Sequence, residues 1–292
     1  MRMDALHELR ELAERHARPG PLATVERDDL GLKLIVARRG GPGSLDYVIE
    51  RQFGVVVHGE KHVALGDRRL TCGAGSYFVA GVALPVALAL PRASPADPFV
   101  AVSVALEPAR VAALLADAPL LTDAPDDIGL GVSAAPTDVI DALVRLVRLL
   151  DRPRDVAVLG PLAERELLWR LLCSDQGGRL RQIGRADSQL SQIGRAMRWI
   201  HDHYRDTLRI GDLARLAGMS ATSFHRHFRA VAAMTPLQYQ KQLRLRAARA
   251  ALLAGGQDVA RIGHAVGYES PSQFSREYKR AYGAPPSRTR PR

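Results

Sequence analysis

The chain has 292 residues, of which 41 are lysine or arginine and 31 aspartate or glutamate, for a net charge of +10. That length is roughly two domains' worth, so each half is long enough to bury a core of its own. Two cysteines, Cys72 and Cys173, are too few for a disulfide framework or a four-cysteine metal site, and point to a reducing cytoplasm.

The N-terminus, Met1 to Arg18, alternates charge with leucine and lacks the apolar centre of a secretory signal. Residues Leu6 to Ala17 read as a short amphipathic helix, and Gly40, Gly41, Pro42 and Gly43 as a loop. From Phe53 to Ala80, short apolar runs are punctuated by Gly59-Glu60, Gly66-Asp67 and Gly73-Ala74-Gly75. That pattern predicts consecutive hairpins in a sandwich or small barrel, with two more strands at Val86 to Leu90 and Phe99 to Leu106. The apolar run Gly81 to Leu90 is far shorter than the roughly 20 residues of a membrane span, and the chain is expected to be soluble.

The period then changes. Pro108 to Ala116, Thr137 to Leu150 and Asp155 to Ser174 carry Leu and Val at helical spacing. Ile140, Leu143, Val144, Val147 and Leu150 form one stripe, and Leu167, Leu168, Leu171 and Leu172 another. Each packs on its own barrel or contributes part of itself to a dimer interface. Gln176 to Ser188, rich in Gly, Arg, Gln and Asp without an apolar stripe, reads as a linker.

Charge is distributed unevenly: from Leu190 onward there are 18 basic and 6 acidic residues, against 23 and 25 in the first 189. Clustered arginine and lysine raise the local potential for anions and release counterions on phosphate contact, which places a polyanion-binding surface in the C-terminal third. In that third, Ile193, Met197, Ile200 and Tyr204 mark one helix and Leu208 to Ala217 a second, ended by Gly218. Ser220 then caps a third, with Phe224, Phe228 and Val231 at i, i+4 and i+7. Small residues in the short helix, Ala214 and Ala217, let it cross closely over its successor, whose other face is left for a major groove.

The same pattern returns about fifty residues on, an internal repeat. Val259, Ile262, Ala265 and Val266 form the support helix, Gly267 ends it, and Ser270-Pro271 opens the next, with Gln273 placed to complete a capping box. Phe274 and Tyr278 take the places of Phe224 and Phe228. Between the copies, Pro236 to Ala254 reads as one helix capped by Thr235 and Gln238 and stopped by Gly255-Gly256. At 1.5 Å per residue it spans roughly 28 Å, approaching the roughly 34 Å of a DNA turn, so one chain can set two helices into successive grooves.

Residues 190–292 resemble the DNA-binding domain of AraC/XylS-type regulators. The likeness rests on Asp212-Leu213-Ala214-Arg215-Leu216-Ala217-Gly218-Met219-Ser220, Phe224-His225-Arg226-His227-Phe228, Thr235-Pro236-Leu237-Gln238-Tyr239, Ile262-Gly263-His264-Ala265-Val266-Gly267-Tyr268 and Gln273-Phe274-Ser275-Arg276-Glu277-Tyr278-Lys279. It departs chiefly at Tyr278, where phenylalanine is usual, and Gly263, where alanine is usual. The resemblance implies seven helices, two of them recognition helices, and bases faced by Thr222, His225 and Arg226 and by Ser272, Ser275 and Arg276. Arginine can donate two hydrogen bonds to guanine. Arg229, Lys279 and Arg280 read as phosphate clamps, which position without specifying.

The front half resembles the cupin-like sensor domain of one AraC-type subgroup. The expected fold is therefore α+β: a cupin-like barrel or sandwich with flanking helices at 1–180, a linker at 181–189, and an all-helical domain at 190–292 with helix-turn-helix units at about 208–231 and 258–282. Inward barrel residues, Val55, Val57, Val63, Leu65, Tyr77 and Val79, are the expected lining of a small-molecule effector pocket, and equally what any barrel core contains. Double-stranded DNA, an effector, RNA polymerase and a second copy of the chain are the implied partners.

No enzyme activity, cofactor or metal is expected. His201, His203, His225 and His227 lie two apart on helices and point about 200° around the axis from each other. His58 and His62 flank a turn near Glu60, without the His-x-His pair of metal-bearing cupins. Cys72 and Cys173 read as small buried hydrophobes, with a thiol sensor the sharper alternative for Cys72. The rival functions are a cupin-type enzyme tethered to nucleic acid and a non-specific DNA-architectural protein.

Overall fold

The structure, a computed structural model, describes residues 2–117, 130–255 and 258–289. The chain divides into two compact units, Met1–Gln192 and Ile193–Arg292. No helix among the described residues is long and apolar enough to cross a membrane.

The first unit is a sandwich of two antiparallel sheets with helices on one face. Its strands are β1 (Leu22–Arg27), β2 (Leu32–Ala37), β3 (Gly41–Ile49), β4 (Gln52–His58), β5 (Glu60–Leu65), β6 (Arg68–Gly73), β7 (Ser76–Ala80), β8 (Leu84–Leu90), β9 (Phe99–Ala105) and β10 (Val132–Ala134). One sheet runs β1-β2-β9-β4-β7-β10 and the other β3-β8-β5-β6. The strands predicted from Phe53 to Ala80 are all present, but only β5 and β6 form a hairpin between neighbours. β4 pairs with β7 and β9, because Gly59, at φ 80°, sends the chain across to the other sheet. The Gly40 to Gly43 loop is corrected as well: Gly41 already begins β3, whose register against β8 shifts between Gly41 and Leu45.

Five helices complete this unit: α1 (Arg2–His16), α2 (Pro108–Asp117), α3 (Thr137–Arg148), α4 (Val156–Leu172) and α5 (Gly177–Gly184). Burial of Leu9, Leu12 and Ala13 lays α1 on β2, β4 and β9, and α3 bridges α1 and α4. Both predicted apolar stripes are turned inward, Ile140, Leu143, Val147, Leu167 and Leu171 being fully buried. The large apolar side chains that α4 exposes are different ones, Val158, Leu159, Leu162 and Trp169.

The stretch from Gln176 to Ser188 is not a bare linker. Leu180 and Ile183, too short a pattern to register as a stripe, bury α5 against α2 and α4. Gln176 fastens its start. Where the three-residue β10 ends, the Gln176 amide takes a strand partner's place: Oε1 accepts from Val79 N at 2.9 Å and Nε2 donates to Tyr77 O at 3.1 Å. Nε2 also reaches Ser133 Oγ, and the Tyr77 hydroxyl donates to Ser174 Oγ at 2.9 Å. Buried amide groups left without partners are costly, so Gln176→Ala should destabilise the first unit by about 2–3 kcal/mol. Denaturant unfolding of the full chain checks this, and a change below about 0.5 kcal/mol would contradict it.

The second unit is helical: α6 (Gln189–Asp202), whose first residues lie in the first unit, then α7 (Ile210–Leu216), α8 (Ala221–Ala232), α9 (Pro236–Ala254), α10 (Val259–Ala265) and α11 (Pro271–Tyr282). A terminal 3-10 turn follows at Pro286–Arg288.

 The resemblance implied seven helices in this region; among the described residues of the second unit there are six α-helices, the short last element being a 3-10 turn.

Candidate nucleic-acid interface and barrel cavity

Two helix-turn-helix units follow from the same local chemistry. In the first, Gly218 at φ 67° turns the chain from α7, and the Ser220 hydroxyl accepts from Ser223 N at 3.3 Å to start α8. In the second, the Ser270 hydroxyl accepts from Gln273 N at 3.3 Å to start α11, with Pro271 in its first turn. The expected capping box is complete only at α9, where Thr235 and Gln238 bond reciprocally at 2.8 and 3.2 Å. Gln273 instead turns its side chain to Glu277.

Each recognition helix buries an aromatic pair: Phe224 and Phe228 in α8, Phe274 and Tyr278 in α11, with ring centroids 5.6 Å apart in both. The two departures from the family pattern have local causes. Tyr278 places its hydroxyl 2.8 Å from Thr289 Oγ1, and a Cβ at Gly263 would lie 2.9 Å from the Phe274 ring. With the aromatic face buried, the opposite face is open. Thr222, His225, Arg226 and Arg229 are exposed on α8, and Ser272, Arg276, Lys279 and Arg280 on α11, while Ser275 is half-buried. The His227 ring, half-buried beside this face, is held below the usual imidazole range by burial and then by the Arg226 charge.

The two units are joined through α9. Gln240 Nε2 donates to the carbonyls of Tyr204 and Asp206 at 3.0 and 2.7 Å, and Arg244 donates to those of Tyr204, Arg205 and Asp206 at 2.6, 3.1 and 2.9 Å. The other end of α9, through Leu245, Ala248 and Leu252, shares a core with Ile262, Val266, Tyr268, Phe274 and Tyr278 of the second helix-turn-helix.

Between the two sheets of the first unit lies a cavity of about 130 Å³. Leu22, Ile35, Leu45, Ile49, Leu88, Leu90 and Phe99 give it apolar walls, and Lys61, Ser103, Thr24, Tyr47, Gln52 and Lys33 supply its polar groups. Of the six expected pocket residues, Val55 alone borders it. Val63 and Leu65 point inward but pack elsewhere in the core, Tyr77 and Val79 lie on the opposite side of β7 from Phe78, and Val57 is buried away from the space.

Lys61 is the residue that the sequence reading missed. Along β5, Lys61, Val63 and Leu65 are buried while Glu60, His62 and Ala64 are not, so the lysine occupies an inward position of the alternation. Its Nζ sits 4.2 Å from the centroid of the Phe78 ring. That ring lies across Gly54, where a Cβ would come within 2.6 Å of it. Burial pulls the Lys61 ammonium down to about 8. Cys72, its cross-strand partner, is buried and its thiol is pushed up by burial, whereas Cys173, expected in the core, is exposed. His58 and His62 pair separately, with Asp97 at 2.6 Å and Glu60 at 2.7 Å.

Comparison with known proteins assigns both halves. Residues 31–179, just over half of the chain, match the model described as AraC-type transcriptional regulator N-terminus. The chain belongs to the AraC-type transcriptional regulators. Residues 213–292 match a helix-turn-helix domain. The chain is similar to the virulence regulon transcriptional activator VirF of Yersinia enterocolitica, 28% identical over 153 residues, covering 51% of this chain and 55% of that protein. It is also similar to the transcriptional regulator ExsA of Pseudomonas aeruginosa, 28% identical over 161 residues, covering 54% and 57%. The matched part spans about half the length of these relatives. Among solved structures, ToxT from Vibrio cholerae has the same fold, with a TM-score of 0.55 at 11% identity over 88% of this chain and 97% of that one.

Two substitutions probe this regulator's architecture. Ala233 ends α8 at φ 55°, where the equivalent Gly283 ends α11 at φ 75°. A side chain in that left-handed region costs about 1 kcal/mol, so Ala233→Gly should raise the stability of the second unit by about 0.5–1 kcal/mol in thermal or denaturant unfolding. Lys61→Met removes a buried ammonium at nearly constant volume and should stabilise the first unit by on the order of 2–3 kcal/mol at pH 7. The sign follows from the lowered value. Below about 8 the folded protein carries the whole cost, and the cost is relieved as pH rises from about 8 toward 10.5, the value of an unburied lysine. The advantage of the variant over wild type should therefore shrink across that window. Cys72 on β6, Lys33 on β2 and Tyr47 on β3 are the other titratable groups around the cavity, and they are common to both proteins.

Proposed function

We propose that this AraC-type regulator binds specific DNA sequences through both helix-turn-helix units at once. The observation that carries the reading is the repetition of one exposed face, fifty residues apart, on two helices whose opposite faces are buried around the same aromatic pair. In this reading Thr222, His225 and Arg226 meet the bases of one half-site and Ser272, Ser275 and Arg276 those of the next. Arg229 and Lys279 hold phosphates. Half-sites lie about one helical turn apart, because α9 separates the units by a rigid length of about 28 Å.

The chain acts as a regulator in the cytoplasm and not as an enzyme. Its barrel cavity receives a small-molecule effector, which biases the protein by binding one arrangement better than another, since equal affinity for both shifts nothing. A second copy of the chain and RNA polymerase are its protein partners; the exposed Val158, Leu162 and Trp169 of α4 support the former.

The test is selection from randomised duplex DNA with the full-length protein, repeated with Arg226→Ala and Arg276→Ala. A motif of two half-sites one turn apart is expected, with each variant relaxing a different half and losing about 1–3 kcal/mol for the intact site. Binding without a motif, equal in all three proteins and strongly salt-dependent, would replace this reading with a non-specific architectural role.

A further inference from the structure

Inside the barrel, the chemistry of the walls restricts what the cavity takes. Its exposed lining is chiefly aliphatic and aromatic, the six polar side chains contributing a small part of it, so a polyhydroxylated ligand would leave many of its hydroxyls unmatched. Its two charged groups are both lysines, which disfavours a cation. Lys33 is already committed to Glu26 at 2.6 Å. Lys61 has neither an acidic partner nor a hydrogen bond among the described residues, and the face of Phe78 is its nearest compensation. A buried ammonium is held by opposite charge or loses its proton.

The polar groups also cluster. On the six-stranded sheet, Lys33, Ser103, Gly54 and Phe78 are successive cross-strand neighbours in one row. Lys61 descends onto the Phe78 end of that row from the other sheet, and Ser103 is a buried hydroxyl at its centre. Leu22, Ile35, Leu45 and Leu88 form the apolar remainder. A volume of about 130 Å³ is close to the roughly 150 Å³ of a protein cavity that accepts benzene, which limits the ligand to one ring or a short chain.

We propose that the cavity binds a small amphipathic monocarboxylate, its anionic head on Lys61 Nζ and Ser103 Oγ and its short aliphatic or aromatic tail against Leu22, Ile35, Leu45 and Leu88. This rests on the reading of the barrel as an effector site and specifies the chemical class. The single anionic charge neutralises the buried ammonium, and the tail displaces water from the apolar wall. Neither group alone does both.

The experiment is isothermal titration of the full-length protein with hexanoate and benzoate and with the uncharged partners 1-hexanol and benzyl alcohol, on wild type and on Lys61→Met. Each acid is expected to bind wild type at least about tenfold more tightly than its alcohol, and Lys61→Met to abolish or reverse that preference. Since the acid-to-alcohol ratio is read on wild type, it does not depend on the variant folding. Alcohols that bind as well as the acids, or a preference that survives in Lys61→Met, overturn the carboxylate assignment while leaving the cavity as an apolar ligand site. If neither acids nor alcohols bind, the assignment fails together with the reading of this cavity as an effector site.

Discussion

Gln240 and Arg244, one turn apart on α9, take up the carbonyls of Tyr204, Arg205 and Asp206. These carbonyls belong to the segment that follows α6, where a helix end leaves acceptors without partners of their own. A guanidinium and an amide satisfy them together, and burial lowers the Arg244 guanidinium from its usual range. Because the same helix caps itself with the Thr235–Gln238 box at one end and enters the Phe274–Tyr278 core at the other, the two helix-turn-helix units are referred to a single rod. Their separation is then a property of α9.

The repeat was legible because each of its parts is local. A serine cap, a turn glycine and aromatic residues at i and i+4 need nothing outside about twenty residues to be recognised. Even Ala233 in place of a glycine leaves the pattern intact, since the turn it makes is the same. The barrel was legible only in its strands between Phe53 and Leu106. β1 and β2 escaped because their sequences, Leu22–Arg27 and Leu32–Ala37, carry charges, and the turn between them is made by Asp28-Asp29-Leu30 and a single Gly31 in place of a glycine pair. The hairpin reading failed at β4 for a different reason. A glycine turn says that the chain bends, and not whether the next strand joins the same sheet or the facing one.

Lys61 shows the limit in its sharpest form. Its place in the sequence Glu60-Lys61-His62-Val63-Ala64-Leu65 already puts it in phase with Val63 and Leu65, and that phase was the available signal. A lysine in a strand is ordinarily read as a solvent-facing residue, and apolar residues as the lining of a pocket. Here the reverse holds in part: the expected Val63, Leu65, Tyr77 and Val79 fill the core, while a lysine borders the empty space. Packing decides which inward residues close on one another and which leave a void, and packing is a property of two sheets together.

The position of the cavity also constrains how its occupation can reach the rest of the first unit. A ligand shifts a conformational equilibrium only through groups it contacts differently in two states. Phe78 forms part of the cavity wall beneath Lys61, and its neighbours on β7, Tyr77 and Val79, are the two residues whose backbone groups Gln176 holds. Gln176 in turn precedes α5, which Leu180 and Ile183 bury against α2 and α4. The void and the anchor of α5 are therefore separated by the thickness of one strand, with no loop between them to absorb a displacement. Interiors at crystal-like density accommodate such a change by moving between discrete packings, not by yielding in place. The Gln176 amide, bonded to the backbone of Tyr77 and Val79, is the group that a displaced β7 would have to carry with it or release.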